Sequence, residues 1–294
     1  MQIKHLKHKQ IDFDKYNACI EKSYNSRIYA FSWYLDIVAS KKWEVLVLGD
    51  YQAVMPLPFK RVKKKLFKRL IVQPLFCQQL GVFSLTKLLE DVFQSLITKF
   101  NIFNTYTYNF NSENTYFLKE KVNFKEKVNF KLNLNKPYDN IYNKYTKNLK
   151  RNINKGLKNR LEISKNIEVD AFILMKKTHA KHKIKKKELD KIKSLIIEII
   201  KKKKGTLYGI KKEDKLIAIA FFTKSNNRLI HLFSVSNSIG KKFGAIPFLF
   251  NSIIKNNANT NVVFDFEGSM IEGVAKFFKS FGSENNPYLK YRNV

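Results

Sequence analysis

Two carboxylates two positions apart, Asp265 and Glu267, stand in the run Val262-Val-Phe-Asp-Phe-Glu-Gly-Ser-Met-Ile-Glu-Gly-Val-Ala-Lys-Phe-Phe278. Alternate residues of a strand share a face, so both carboxylates are expected on one side, opposite Phe264 and Phe266. Such a pair can hold an ammonium group or accept its proton. It can equally accept backbone N–H groups or pair with a lysine, while a metal pair has no nearby histidine to complete it. Gly268 reads as a turn, Ser269 and Glu272 as an S-x-x-E capping box. Ile271, Val274, Phe277, Phe278 and Phe281 read as the apolar stripe of the helix that follows. In an open α/β sheet, the carboxyl end of a strand is where ligands gather.

Other chemistry-bearing residues are sparser. His231, in a predicted strand over Leu229–Val235, is a candidate general base, with a structural strand histidine as the alternative. His179 and His182 are three apart on a predicted helix, but the lysines around them would repel a cation. Cys19 and Cys77 have neither a zinc-site spacing nor an adjacent histidine, so thiol chemistry and a disulfide framework are not expected.

The elements that position these residues repeat. Trp43–Gly49 and Gln52–Phe59 read as strands around Asp50-Tyr51, and Thr206–Lys211 and Leu216–Lys224 as strands around Glu213-Asp214. An amphipathic helix follows in each half, Thr86–Lys99 and Phe243–Lys255, then a strand, Thr105–Phe110 and Val262–Phe266. A short helix comes next, Ser112–Leu118 and Ser269–Phe281, and a final strand, Lys127–Leu134 and Tyr288–Arg292. The repeated order implies two similar α/β modules with mixed sheets. The expected division is residues 1–137, a basic linking helix over 138–160 that opens the second module, and residues 161–294. In that helix Ile141, Tyr145, Leu149, Ile153 and Leu157 recur every four residues, leaving the other faces to lysine and arginine.

At 294 residues and 44% hydrophobic composition, the chain has ample core for two such modules and is too apolar for disorder. The formal net charge is +32, and residues 139–204 carry 21 Lys/Arg against 7 Asp/Glu. Only seven of the 56 basic residues are Arg, whose fork suits phosphate and guanine edges better than lysine does. The charge therefore reads in part as a lysine-rich composition and in part as attraction to a polyanion. The basic N-terminal segment lacks the apolar core of a signal peptide, and no run is long enough to span a bilayer, so a cytoplasmic location is expected. Peripheral contact with an anionic membrane through basic loops stays compatible with it.

Tyr145-Thr-Lys-Asn-Leu-Lys-Arg-Asn-Ile153, Phe264-Asp-Phe-Glu-Gly-Ser269 and the Phe-rich helix ending in Phe281-Gly282 resemble the FemAB-like branch of the GNAT superfamily. The match is closer to its proteins with a BioF2-like acetyltransferase domain than to the enzymes that build peptidoglycan bridges. The resemblance spans essentially the whole chain. It implies two tandem GNAT-like modules and transfer of an acyl or aminoacyl group to an acceptor amine, borne by a small molecule or a cell-envelope precursor. No tightly bound cofactor is implied; acyl-CoA or aminoacyl-tRNA would serve as donor, and tRNA would then be a partner.

The GNAT pattern R/Q-x-x-G-x-G/A, in which backbone N–H groups at a helix start hold a pyrophosphate, falls on Ser238-Ile-Gly-Lys-Lys-Phe-Gly-Ala-Ile-Pro247. It makes Gly240, Lys241, Gly244 and Ala245 candidates for donor or anion binding, although Ile246 stands where the pattern has a small residue. A lysine-rich loop that merely starts a helix is the other reading. Lys63 and Lys64, in the basic loop Lys60–Arg69, and Arg151 are the candidates for the acceptor's phosphates. Two other classes of function remain open from sequence: an RNA- or polyanion-binding protein without catalysis, and a degenerate GNAT fold that serves as a scaffold.

Overall fold

The computed structural model describes residues 2–61, 69–118, 123–180 and 182–292. The chain forms two units, Met1–Val128 with Pro287–Val294, and Asn129–Asn286.

The first unit opens with β1 (Ile3–Lys7), α1 (Phe13–Lys22), α2 (Ser32–Val38), β2 (Trp43–Leu48) and β3 (Ala53–Arg61). It continues through β4 (Arg69–Val72), β5 (Phe83–Ser84), α3 (Glu90–Asn101), β6 (Thr105–Phe110) and β7 (Phe124–Lys127). The second unit holds β8 (Phe130–Asn133), α4 (Tyr138–Asn143), α5 (Lys147–Lys158), β9 (Glu162–Ser164), α6 (Val169–His179) and α7 (Lys186–Lys201). Then come β10 (Gly205–Lys212), β11 (Lys215–Ser225), β12 (Arg228–Ser236), α8 (Ser238–Lys242), α9 (Ala245–Asn256), β13 (Val263–Glu267), α10 (Glu272–Lys279) and β14 (Glu284–Asn285). The chain closes the first unit with β15 (Tyr288–Arg292).

The local reasons are ordinary ones. Asp12 caps α1 by accepting from the N–H groups of Asp14 and Lys15. The run Trp43-Glu-Val-Leu-Val-Leu48, apolar except for Glu44, which pairs with His5 and Arg69, becomes a fully buried strand, with Trp43 packed against His8, Phe13 and Tyr16. Glu213 and Asp214 both take positive φ, which turns β10 into β11 in two residues with the hand that suits a twisted hairpin. In the second unit the core is a cluster of rings: Phe222, Phe250, Phe264, Phe266, Phe277, Phe278 and Phe281.

The first sheet has the order β1-β2-β3-β4-β6-β15-β7, with β5 alongside β3; the second runs β14-β8-β13-β12-β11-β10-β9. Two mixed sheets with helices bear out the expected α/β class. Each sheet contains one parallel pair among the described residues, β4 with β6 and β12 with β13. The division differs from the expected boundaries at 137 and 161 in two ways. Lys127–Leu134 is not one strand, because the chain changes unit after Val128: β7 pairs with β15, and β8 with β13. Residues 288–292 return to the first unit, where β15 lies between β6 and β7. The two modules thus exchange one strand each: β8 joins the second unit's sheet and β15 the first's.

The basic segment over 138–160 is also two helices, both within the second unit. The hydroxyl of Thr146 accepts from the Leu149 N–H and starts α5 anew. Ile141, Tyr145, Leu149 and Ile153 are buried as the stripe requires, whereas Leu157 is exposed.

Candidate functional site

Phe264 and Phe266 fill the ring cluster, and Asp265 turns to the other side of β13, as alternation requires. There its Oδ2 accepts from Nη1 of Arg228 at 2.7 Å, a contact in which Asp265 is buried and the Arg228 side chain is 12% exposed. Its Oδ1 accepts the Glu267 N–H at 2.8 Å. Glu267 has φ +58, the left-handed region that a non-glycine residue enters at a cost, and the β13–β8 register shifts between Asp265 and Glu267. The strand alternation therefore ends at Asp265. The two carboxylates do not form a symmetric pair: Asp265 is committed to an arginine and a turn, and Glu267 stands half-buried at the strand end.

The turn itself departs from the expected box. α10 begins at Glu272 with Ile271 as its N-cap and no side-chain cap, while Ser269, two residues before that cap, accepts the Ile271 N–H at its Oγ. Glu272 pairs with Lys276 instead. Met270 and Ile271 are exposed, so the buried stripe of this helix narrows to Phe278 and Phe281, with Phe277 half-buried.

Beside this strand end lies a fork. β12 and β13 run parallel through Arg228–Ile230 and Val263–Asp265, after which β12 continues alone on that side to Ser236. His231 is the first residue of β12 past the last paired position. Its ring meets Phe250 edge-on at 4.7 Å, and its Nε2 is shielded from solvent without a hydrogen-bond partner. Burial first, and the nearby Lys176 ammonium second, push its pKa down to about 3 against the opposing effect of the Phe266 and Phe233 backbone. An imidazole of such low basicity is neutral at pH 7 and unsuited to draw a proton from an ammonium. The expectation of His231 as a general base gives way to a neutral hydrogen-bonding group.

Lys176 was not singled out in the sequence. It sits on α6 within Ala171-Phe-Ile-Leu-Met-Lys-Lys177, where an apolar run ending in lysine was the only available signal. Its Nζ donates to the Ser234 carbonyl at 2.9 Å on the free stretch of β12, and burial lowers its pKa. No carboxylate pairs with it among the described residues. An ammonium drawn into the protein without a counter-charge is costly, and such groups cluster at functional sites. Arg228, the partner of Asp265, also went unnoticed.

The first unit has the same fork and fills it with its own chain. β4 leaves β6 after Val72, and Gln73 takes over: its N–H donates to the Thr107 carbonyl, and its Oε1 accepts the Asn109 N–H. Leu80 then rejoins β6 by donating to the Asn109 carbonyl.

The loop expected to cradle an anion folds as α8 followed by Gly244 and α9. The Gly240 N–H is taken by Asn237 Oδ1 at 2.8 Å, and a Cβ at Gly240 would lie 2.4 Å from the Ile217 carbonyl oxygen. Gly244 has φ +68, and a Cβ there would lie 2.3 Å from the Asn152 carbonyl oxygen of α5. Both glycines thus serve close packing within the second unit. Ala245 is buried as the first residue of α9, and Lys241 is exposed. Arg151 is exposed on α5; Lys63 and Lys64 lie outside the described residues. No cluster of His, Cys, Asp and Glu able to hold a metal occurs among the described residues, and no described helix is long and apolar enough to cross a membrane.

No family model matches the sequence, and no curated protein matches it either. Solved structures do match in fold. FemX superposes with a TM-score of 0.71 at 11% identity, over 100% of this chain and 98% of that one. L-PGS from Bacillus licheniformis gives 0.58 at 9% identity, over 95% and 91%. A tandem GNAT protein from the clavulanic acid biosynthesis pathway gives 0.51 at 9% identity, over 99% and 98%. The fold of this chain is that of FemX, two GNAT-like modules in tandem.

Proposed function

We propose that the chain is an N-acyltransferase that moves an acyl or aminoacyl group from an activated donor to the amine of a cell-envelope precursor. The observation that carries this reading is the parallel fork of β12 and β13, set in a fold shared over its whole length with FemX. A second neighbour is a putative lysylphosphatidylglycerol synthetase domain from Agrobacterium fabrum, at a TM-score of 0.58 and 12% identity, which supports an aminoacyl donor and an envelope setting. In the proposed reaction the acceptor nitrogen attacks the donor carbonyl, the C–N bond forms, and the thiolate or ribose oxygen leaves with a proton. Lys176 and the neutral His231 would offer N–H groups to the oxygen that gains charge. Glu267 would orient the acceptor ammonium and take its proton, and Asp265 with Arg228 would fix the turn that presents it.

Calorimetric titration of the whole chain with acyl-CoA and with charged tRNA tests the reading. Saturable binding of one donor class, with turnover that falls in Glu267→Gln while the melting temperature holds, supports it and names the donor. Absence of binding by either donor overturns it.

A further inference from the structure

α5 presents a charge arrangement that the transfer reaction leaves unused. Lys147, Lys150, Arg151, Asn154, Lys155 and Lys158 line one open cavity of about 440 Å³, and every one of them belongs to this single helix. Their spacing of three and four residues puts them on one face. The opposite face is fixed: Leu149 and Ile153 are buried, and Gly156 lies so close to Phe248 of α9 that a Cβ would come within 2.8 Å of that side chain. The basic face is therefore held outward by packing.

What separates α5 from other lysine-rich helices of its unit is the lack of counter-charge. Lys193 is paired with Asp170, Lys202 with Glu198, and Lys276 with Glu272. α5 contains no acidic residue, and among the described residues none of its cations pairs with a carboxylate. Arg151 donates only to Asn148 of the same helix, and Lys150 lies over the Tyr142 ring at 4.9 Å. Five uncompensated cations within twelve residues repel one another, a cost that an anionic partner would relieve.

The shape and residue types select the partner. Among the described residues the lining comes from one helix alone, with no second wall to clasp a strand or a duplex. Its lining residues include four lysines and one arginine, and the ring nearest to it, Tyr142, is half-buried and already covered by Lys150, whereas single-stranded RNA is usually held by aromatic and arginine stacking. Lysines act as point charges toward a diffuse layer of headgroups. Leu157, 58% exposed, flanks this face on the side of Lys150 and adds an apolar contact at its rim. We infer that the outer face of α5 docks the protein on an anionic lipid surface. The inference does not depend on the proposed transfer reaction.

Co-sedimentation of the whole chain with phosphatidylcholine vesicles, with and without phosphatidylglycerol, tests it. Binding is expected only with phosphatidylglycerol present and should fall as salt rises. It should weaken at least about tenfold when Lys150, Arg151 and Lys158 are all changed to Glu. A second variant, Lys183, Lys186 and Lys187 to Glu, makes the same change in net charge elsewhere and is expected to bind nearly as the parent does. Circular dichroism melts of both variants establish that each is folded. Equal loss in the two variants, binding to neutral vesicles, or no binding overturns the inference. Displacement from the vesicles by a short duplex RNA through the same α5 residues overturns it as well, in favour of a nucleic-acid face.

Discussion

Asp265 and Arg228 form a largely buried ion pair at 2.7 Å, and the second carboxylate oxygen of Asp265 holds the N–H of Glu267 in a left-handed turn. One side chain thus pairs with a largely buried cation and shapes the end of β13. Replacing Asp265 by Ala removes the carboxylate from a largely buried ion pair and releases the turn, so a loss of about 3–5 kcal/mol in unfolding free energy is expected from denaturant titration. Asp265→Asn keeps an acceptor for the Glu267 N–H and should lose less. Equal stability of Asp265→Ala and the parent would refute the structural assignment.

His231 makes acid stability a readout of the fork. Its unfolded-state pKa is near 6.5 and its folded-state value about 3. The unfolded chain therefore binds the proton first, and stability present above pH 6.5 drains away as pH falls toward 3, by at most about 1.4 kcal/mol per unit. His231→Phe removes both this proton and the orphaned Nε2 from a phenylalanine-lined site. It should be at least as stable as the parent at pH 7 and show a flatter acid limb in melts taken across that window. An unchanged acid limb would count against the buried neutral imidazole.

Gly244 separates packing from anion binding. An alanine there must keep φ +68 and push its Cβ against the Asn152 carbonyl, so Gly244→Ala should cost about 1–3 kcal/mol without any ligand present. A glycine needed only to admit a phosphate would leave the melting temperature of the free protein unchanged and weaken donor binding alone.

Leu289 reports on the exchanged strand. It is buried in β15 between Phe110 of β6 and Glu126 of β7. Leu289→Ala should destabilise the first unit by about 2–4 kcal/mol. Both tryptophans, Trp33 and Trp43, lie in that unit, so their fluorescence follows it alone. The fluorescence transition should shift to lower denaturant while the part of the circular dichroism signal that belongs to the second unit stays in place. Coincident shifts of the two probes would show that the units unfold together.

Much of this architecture is written locally. Thr105–Phe110 is a strand with the expected bounds, the turns at Asp50-Tyr51 and Glu213-Asp214 fall where polar residues interrupt apolar alternation, and β13 sends its phenylalanines to the core. Partner choice is not local. Strand alternation places Asp265 on a face, but nothing in its neighbourhood names Arg228, 37 positions away. The S-x-x-E spacing at Ser269 fits a cap equally well two residues too early, and Met270 and Ile271 carry the same apolar pattern although they are exposed. The exchange of β8 and β15 leaves no local trace, because either strand satisfies the pattern of either sheet. Lys176 escaped for the same reason: its meaning lies in Ser234, on another element.

The exchange also orders events during synthesis. Residues 288–292 are translated after the whole of the second unit, yet β6 and β7 meet only through β15. The first unit, although made first, must wait with the flank of β6 unpaired until the ribosome has passed Arg292. The second unit needs nothing beyond Asn286. During that interval β6 offers Thr105-Tyr-Thr-Tyr-Asn-Phe110, an aromatic and β-branched edge, to any strand within reach. A nascent chain stalled before Tyr288 is thereby a better target for chaperones, and a greater risk for neighbouring chains, than one extended far enough for β15 to pair.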